Sequence, residues 1–151
     1  MGFAAPSLKG RALRLLSQRE HSRAELERKL AKYEEVPGTL AAALDELTAK
    51  DFINEARVVQ SVVNQRAPRM GAARVRQELQ QKGIAPDAIA EAVAELRDTE
   101  LSRAFEVWKR RFDASPSDAK ERGRQMRFLM ARGFSPGTIS KVFRSDSESD
   151  S

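Results

Sequence analysis

Few residues of this 151-residue chain are of a type that does covalent or metal chemistry. His21 is the only histidine, and there is no cysteine. A single imidazole next to a Ser-x-x-Glu helix start (Ser22 to Glu25) reads as a surface or capping residue, not a catalyst. Without cysteine, disulfides and His/Cys zinc sites are excluded. Gly133-Phe-Ser-Pro-Gly137 lacks the P-loop lysine and follows no strand, so it is no phosphate cradle. Glu34 and Glu35 are adjacent carboxylates in a polar stretch, which offers none of the apolar enclosure that acid-base work needs. Tyr33 and Trp108 are of a type that stacks on bases. Trp108 shares an apolar face with Leu101, Phe105 and Phe112, which predicts a core position. The sequence therefore predicts neither an enzyme nor a cofactor or metal site.

What remains is charge. The chain carries 27 Lys and Arg against 22 Asp and Glu, a net charge of +5 and a pI near 9.9. Such a balance favours polyanionic partners: nucleic acid, acidic protein surfaces or anionic membrane faces. The charge is segregated along the sequence. Residues 64–82 hold Arg66, Arg69, Arg74, Arg76 and Lys82 against Glu78 alone. Residues 109–132 hold eight cations, among them Arg122, Arg124, Arg127 and Arg132, against Asp113, Asp118 and Glu121. Residues 86–100 reverse the sign, with five acids against Arg97. Unit one is basic through Lys32 and acidic from Glu34 to Asp51. The nine named cations are the candidate partner-binding residues. If repeated units stack in register, they form one stripe suited to a long polyanion. The competing reading is an ordinary solvated surface with internal i,i+4 pairs.

The elements that position these charges come from internal repetition. A shift of 49 residues superposes Leu26 on Val75, Leu30 on Leu79, Pro37 on Pro86, Leu40 on Ile89, Leu44 on Val93 and Leu47 on Leu96. A shift of 50 carries Lys82-Gly-Ile-Ala-Pro86 onto Arg132-Gly-Phe-Ser-Pro136, with Leu79, Ile89 and Val93 falling on Leu129, Ile139 and Phe143. Upstream of each aligned part lies an amphipathic stretch: Leu8, Ala12, Leu13, Leu15 and Leu16; then Ala56, Val59, Val62 and Val63; then Leu101, Phe105, Trp108 and Phe112. Each unit is read as three helices. Ser22 and Glu25 form a capping box. Gly83 and Gly133 end the middle helices with positive φ. Pro37, Pro86 and Pro136 take the first position of the third helices, with Ser135 as an N-cap.

Leu, Ile, Val and Phe together number 33, enough for several small cores but not one large one. The predicted fold is all-α: three tandem three-helix repeats in an elongated, curved molecule. The expected organisation is a flexible start over 1–7, repeats over 8–50, 51–97 and 98–144, an internal loop over Asp113 to Ala119, and a disordered acidic tail over 145–151. No apolar run approaches the ~20 residues that span a bilayer, and Met1 to Lys9 lacks signal-peptide character, so a cytoplasmic protein is expected; the chain is also expected to be a monomer.

Middle helix, glycine turn and third helix resemble a helix-turn-helix in outline. The third helices, however, hold Ala41, Ala42, Ala43, Asp45 and Glu46, or Glu91 and Glu95. Phosphates repel such helices, which disfavours sequence-specific DNA reading. Ala12-Leu-Arg-Leu-Leu-Ser-Gln-Arg-Glu-His-Ser-Arg-Ala-Glu-Leu-Glu-Arg-Lys-Leu30, the stretch Gly71 to Ile84 and Phe128-Leu-Met-Ala-Arg-Gly-Phe-Ser135 resemble RecX regulatory proteins, in order and spacing, over residues 8 to 143. The resemblance implies three tandem three-helix repeats and no catalytic site. It further implies binding to RecA and its filament on single-stranded DNA, with inhibition of strand exchange and ATP hydrolysis. The basic residues would face the filament's acidic groove, the DNA within it, or both. Two rival readings stay open: a non-specific nucleic-acid-binding module acting without RecA, and a helical-repeat adaptor for another protein.

Overall fold

The computed structural model describes residues 5–149. Nine α-helices run through them in three groups: α1 (Leu8–Leu16), α2 (Arg23–Leu30) and α3 (Thr39–Ala49); α4 (Glu55–Arg66), α5 (Ala72–Gln81) and α6 (Pro86–Asp98); α7 (Glu100–Arg111), α8 (Ala119–Ala131) and α9 (Pro136–Ser149). A 3-10 turn, Ala31–Tyr33, follows α2. Among the described residues there is no strand.

The helix starts follow local chemistry. The Ser22–Glu25 capping box is complete: Ser22 Oγ accepts the Glu25 N–H, and the Glu25 carboxylate accepts the Ser22 N–H, each at 3.1 Å. Asn54 and Asp118 cap α4 and α8 in the same manner on one side. Pro86 and Pro136 open α6 and α9, and Ser135 Oγ accepts the Thr138 N–H at 3.2 Å. Gly83 and Gly133 have φ of 71° and 91°, so both middle helices end in left-handed turns.

Four expectations need correcting. Pro37 does not begin α3. The helix starts two residues later, after Gly38 at φ 90°, because the Glu34 carboxylate reaches the Leu40 N–H at 2.8 Å and supplies the cap from upstream. His21 is not a surface residue; it is 1 % exposed. Ala56 and Leu101 face outward, and Val58 instead is buried in unit two. The acidic tail is not structureless through Ser149, since α9 continues to that residue. Asp146 accepts hydrogen bonds from Ser115 N and Oγ at 3.0 and 2.7 Å, tying the helix end to the α7–α8 loop. Composition cannot reveal such a distant donor. Ser7 caps α1 at the other end, where its Oγ accepts the Gly10 N–H. Residues 1–4 and 150–151 of the expected flexible ends lie outside the described residues.

Each unit closes its own core. Unit one packs Ala12, Leu26, Leu30, Leu40, Leu44, Leu47 and Ile53. Unit two packs Val58, Val62, Val75, Leu79, Ile89, Val93 and Leu96 among others. Unit three packs Ala104, Trp108, Phe112, Leu129, Phe134, Ile139, Val142 and Phe143. Trp108 is 1 % exposed, and its indole N–H donates to buried Gln125 at 2.7 Å. A small core of this kind is marginal alone, so contacts between neighbouring units contribute to stability.

Candidate polyanion-binding surface

The joints between units decide which cations remain free. Both use the same parts: the N-terminal turn of a middle helix lies against the glycine turn of the next unit. At the first joint Ala24 meets Gly83, where an added Cβ would lie 2.7 Å from the Ala24 Cβ. Lys82 donates to Glu25 at 3.0 Å with its side chain only 17 % exposed. Glu25 also accepts from Arg19 at 2.7 Å. Burial alone would raise this carboxyl, but Arg19, the Ser22 N–H and Lys82 outweigh it and hold the pKa at about 2. Arg28 donates to the Gln81 carbonyl at 2.8 Å, and Arg57 donates to Glu20 at 2.9 Å.

At the second joint Gly71 N–H donates to the Arg132 carbonyl at 2.7 Å, and Ala73 N–H to that of Gly133 at 3.3 Å. Buried Glu100 accepts from Ala72 N–H at 3.1 Å and from Thr138 Oγ1 at 3.0 Å. Arg103 donates to the carbonyls of Ala67, Met70 and Leu96. Burial lowers its pKa, which Glu100 nearby partly opposes.

The nine candidate cations have unequal surroundings. Lys82 is committed to the first joint. Arg66 is clamped by both Glu78 oxygens at 3.1 Å. Arg69, Arg74 and Arg76 are exposed and have no carboxylate partner among the described residues. Arg74 and Arg76 are two positions apart on α5, so they leave opposite faces. Arg74 lines a shallow pocket with Arg66, Gln77 and Gln81, whereas Arg76 lines another with Ile84 and Ile89. On α8, Arg122 lies over the Phe143 ring at 5.1 Å and Arg124 pairs with Glu121 at 3.1 Å. Arg127 is exposed. Arg124 and Arg132, joined by Arg111, sit 5.1 to 5.9 Å from the edge-to-face pair Phe112–Phe128. The structure thus divides the expected stripe into a unit-two group on two faces of α5 and a unit-three group over phenylalanines. Unit three also departs from the pattern of acidic third helices, since α9 carries Lys141 and Arg144 before Asp146 and Glu148.

Sequence reasoning passed over a third group. Between α1 and α2 lies a cleft of about 410 Å³ lined by Arg11, Arg14, Arg28, Lys29, Lys32 and Tyr33, with Pro6, Gly10, Leu15 and Leu30. No acidic residue is among its lining residues. The Arg11 guanidinium stands 3.7 Å over the Tyr33 ring. The available signal was spacing: Arg11 and Arg14 at i,i+3, and Arg28 and Lys32 at i,i+4, project from one face each of consecutive helices.

Two absences hold for the described residues. No helix is long and apolar enough to cross a membrane. No group of three or more His, Cys, Asp or Glu is placed to hold a metal ion.

Family models of the first, second and third three-helix domains of RecX match residues 9–47, 54–93 and 98–143. The regulatory protein RecX of Leptothrix cholodnii is 54% identical over 145 residues, covering 95% of this chain and 92% of that protein. That of Herminiimonas arsenicoxydans is 49% identical, covering 95% of each. The crystal structure of RecX from Lactobacillus salivarius superposes with a TM-score of 0.78 at 19% identity, over 93% of this chain and 94% of that one. Three matched helical domains in order, and close relatives over nearly the full length, place this chain in the RecX family of regulatory proteins.

Proposed function

We propose that this protein binds RecA and its filament on single-stranded DNA, and inhibits recombinase and ATPase activity by limiting filament growth or promoting disassembly. It acts as a cytoplasmic monomer, without a catalytic site or cofactor of its own. The observation that carries this reading, beside family membership, is the set of outward cations on units two and three. Arg69, Arg74 and Arg76, with Arg122 and Arg127, have no carboxylate partner within the described chain. Charge-assisted contacts from such groups suit carboxylates of a protein groove or phosphates of the DNA inside it.

The test is RecA ATP hydrolysis on single-stranded DNA during titration with this protein. Inhibition is expected well below one molecule per RecA monomer, as capping or disruption of filaments requires. Arg69→Glu combined with Arg127→Glu should weaken inhibition roughly tenfold or more, since each reversal turns an attraction into a repulsion. Both side chains are exposed and outside the joints, so the melting temperature should stay close to wild type. Full inhibition by this double variant would remove these residues from the partner surface. Failure of the wild type to inhibit at any ratio would remove RecA as the partner.

A further inference from the structure

We propose that the unit-one cleft is a separate binding site for a stretch of single-stranded nucleic acid. Arg14, Lys29 and Lys32 hold phosphates, and a base lies on the apolar lining beside Tyr33. The site works without a recombinase and goes beyond the reading above.

Three observations carry it. First, the charge is uncompensated. Most neighbouring cations of unit one are neutralised within the chain: Lys9 by Glu46, Arg19 by Glu25, and Arg23 by Glu27 and Asp45. Arg11, Arg14, Lys29 and Lys32 line the cleft with no carboxylate partner among the described residues. Like charges around one concavity repel each other in the free protein, and a polyanion relieves that repulsion.

Second, part of the lining is apolar. Leu15 and Pro6 line the cleft in front of buried Leu30, and Tyr33, 38% exposed as a residue, has the Arg11 guanidinium over one ring face. Guanidinium and aromatic planes of this kind accept a base by stacking whatever its sequence. The volume of about 410 Å³ falls in the small-ligand range, room for a nucleotide or two.

Third, the walls are helices, whose backbone N–H and C=O groups are already paired internally. The cleft offers side-chain cations and some apolar lining, but no strand edge. An acidic peptide would bring carboxylates together with a main chain that finds no partner here. A nucleotide strand brings phosphates and π-faces, which are the groups this lining accepts.

The experiment uses the full chain, without RecA, and a short labelled oligo(dT). Fluorescence anisotropy gives affinity across a salt series. Arg14→Glu with Lys32→Glu is compared with Lys109→Glu with Arg110→Glu on α7. The two pairs change net charge equally, and all four residues are exposed. The cleft pair should lose roughly tenfold or more in affinity, with a salt slope shallower by about 1.4 for two lost phosphate contacts, while the α7 pair changes affinity far less. Equal weakening by both pairs would mean that only overall charge matters, and the site is then wrong. Tyr33→Ala should lower affinity with the salt slope unchanged; unaltered affinity would overturn the base position. Displacement of the oligonucleotide from the wild type by polyglutamate at matched charge would show an acidic-peptide site instead. If Arg14→Glu with Lys32→Glu fails to fold by circular dichroism, Arg14→Gln with Lys32→Gln serves in its place, with the same loss expected at smaller size.

Discussion

Glu25 shows how much one side chain can connect. One carboxylate oxygen accepts from the Ser22 N–H and from Lys82, and the other accepts from Arg19, so the residue caps α2 and fastens unit two to unit one. The capping half was legible as Ser-x-x-Glu; the contact to Lys82, 57 positions away, was not, because periodicity does not say which surfaces meet. The unfolded carboxyl titrates near 4.5 and the folded one at about 2. Its contribution is therefore fully present above pH 4.5 and is lost as the pH falls toward 2. Glu25→Gln should cost about 2 kcal/mol near neutrality and should flatten the acid limb of stability between those values, measured by denaturant melts over a pH series. His21 acts in a higher window. It is buried, with Nδ1 3.1 Å from the Arg19 carbonyl and Nε2 3.2 Å from Lys29 Nζ. The neutral ring that donates at Nδ1 and accepts at Nε2 satisfies both. Burial lowers its pKa below 6.5, the backbone bond to Arg19 opposes this, and the charges of Arg19 and Lys29 add to the lowering. Unfolding then takes up a proton, so His21 stabilises above pH 6.5 and less as the pH falls below it. The melting temperature should drop from pH 7 to pH 5, and His21→Gln should reduce that slope.

At the scale of elements, the helices were readable because caps, prolines and apolar spacing are local. The error at Pro37 is instructive: the alignment placed it opposite Pro86, but a carboxylate six residues before Leu40 moved the helix start. The glycine turns were also readable as left-handed, yet their packing role was not. A Cβ on Gly133 would lie 2.4 to 2.8 Å from Arg74, including its backbone nitrogen, whereas one on Gly38 meets nothing within 4 Å. Both glycines have φ near 90°. Gly38→Ala should therefore cost about 1 kcal/mol from backbone strain alone. Gly133→Ala adds overlap at the joint and should cost about 3 kcal/mol or more, read by equilibrium denaturation. Equal costs would mean that the second joint gives way easily.

For the molecule as a whole, the repeat count, the all-helical class and the three small cores follow from one 49- to 50-residue period. The binding surface was less legible. Net charge indicated a polyanion, but Lys82 is spent inside a joint, and the carboxylate-free cleft of unit one went unselected because its cations are scattered over three short elements. Arg103 was also invisible as a connector, since its three carbonyl acceptors come from Ala67, Met70 and Leu96. Arg103→Ala strips those part-buried carbonyls of a donor. It should destabilise by about 2 kcal/mol, with the loss concentrated between units two and three in hydrogen exchange at Met70 to Ala73.

The chain has one tryptophan and one tyrosine, and they sit in the two outer units. Trp108 is sealed in the core of unit three against Gln125, while Tyr33 lies half open in the unit-one cleft beneath Arg11. The protein thus has a native optical reporter at each end. Indole emission follows one terminal unit as denaturant rises, and the phenol component of the second-derivative absorption spectrum follows the other, with no label attached. Coincident midpoints would mark a row that melts as one body, and separated midpoints would order the units by their own stabilities.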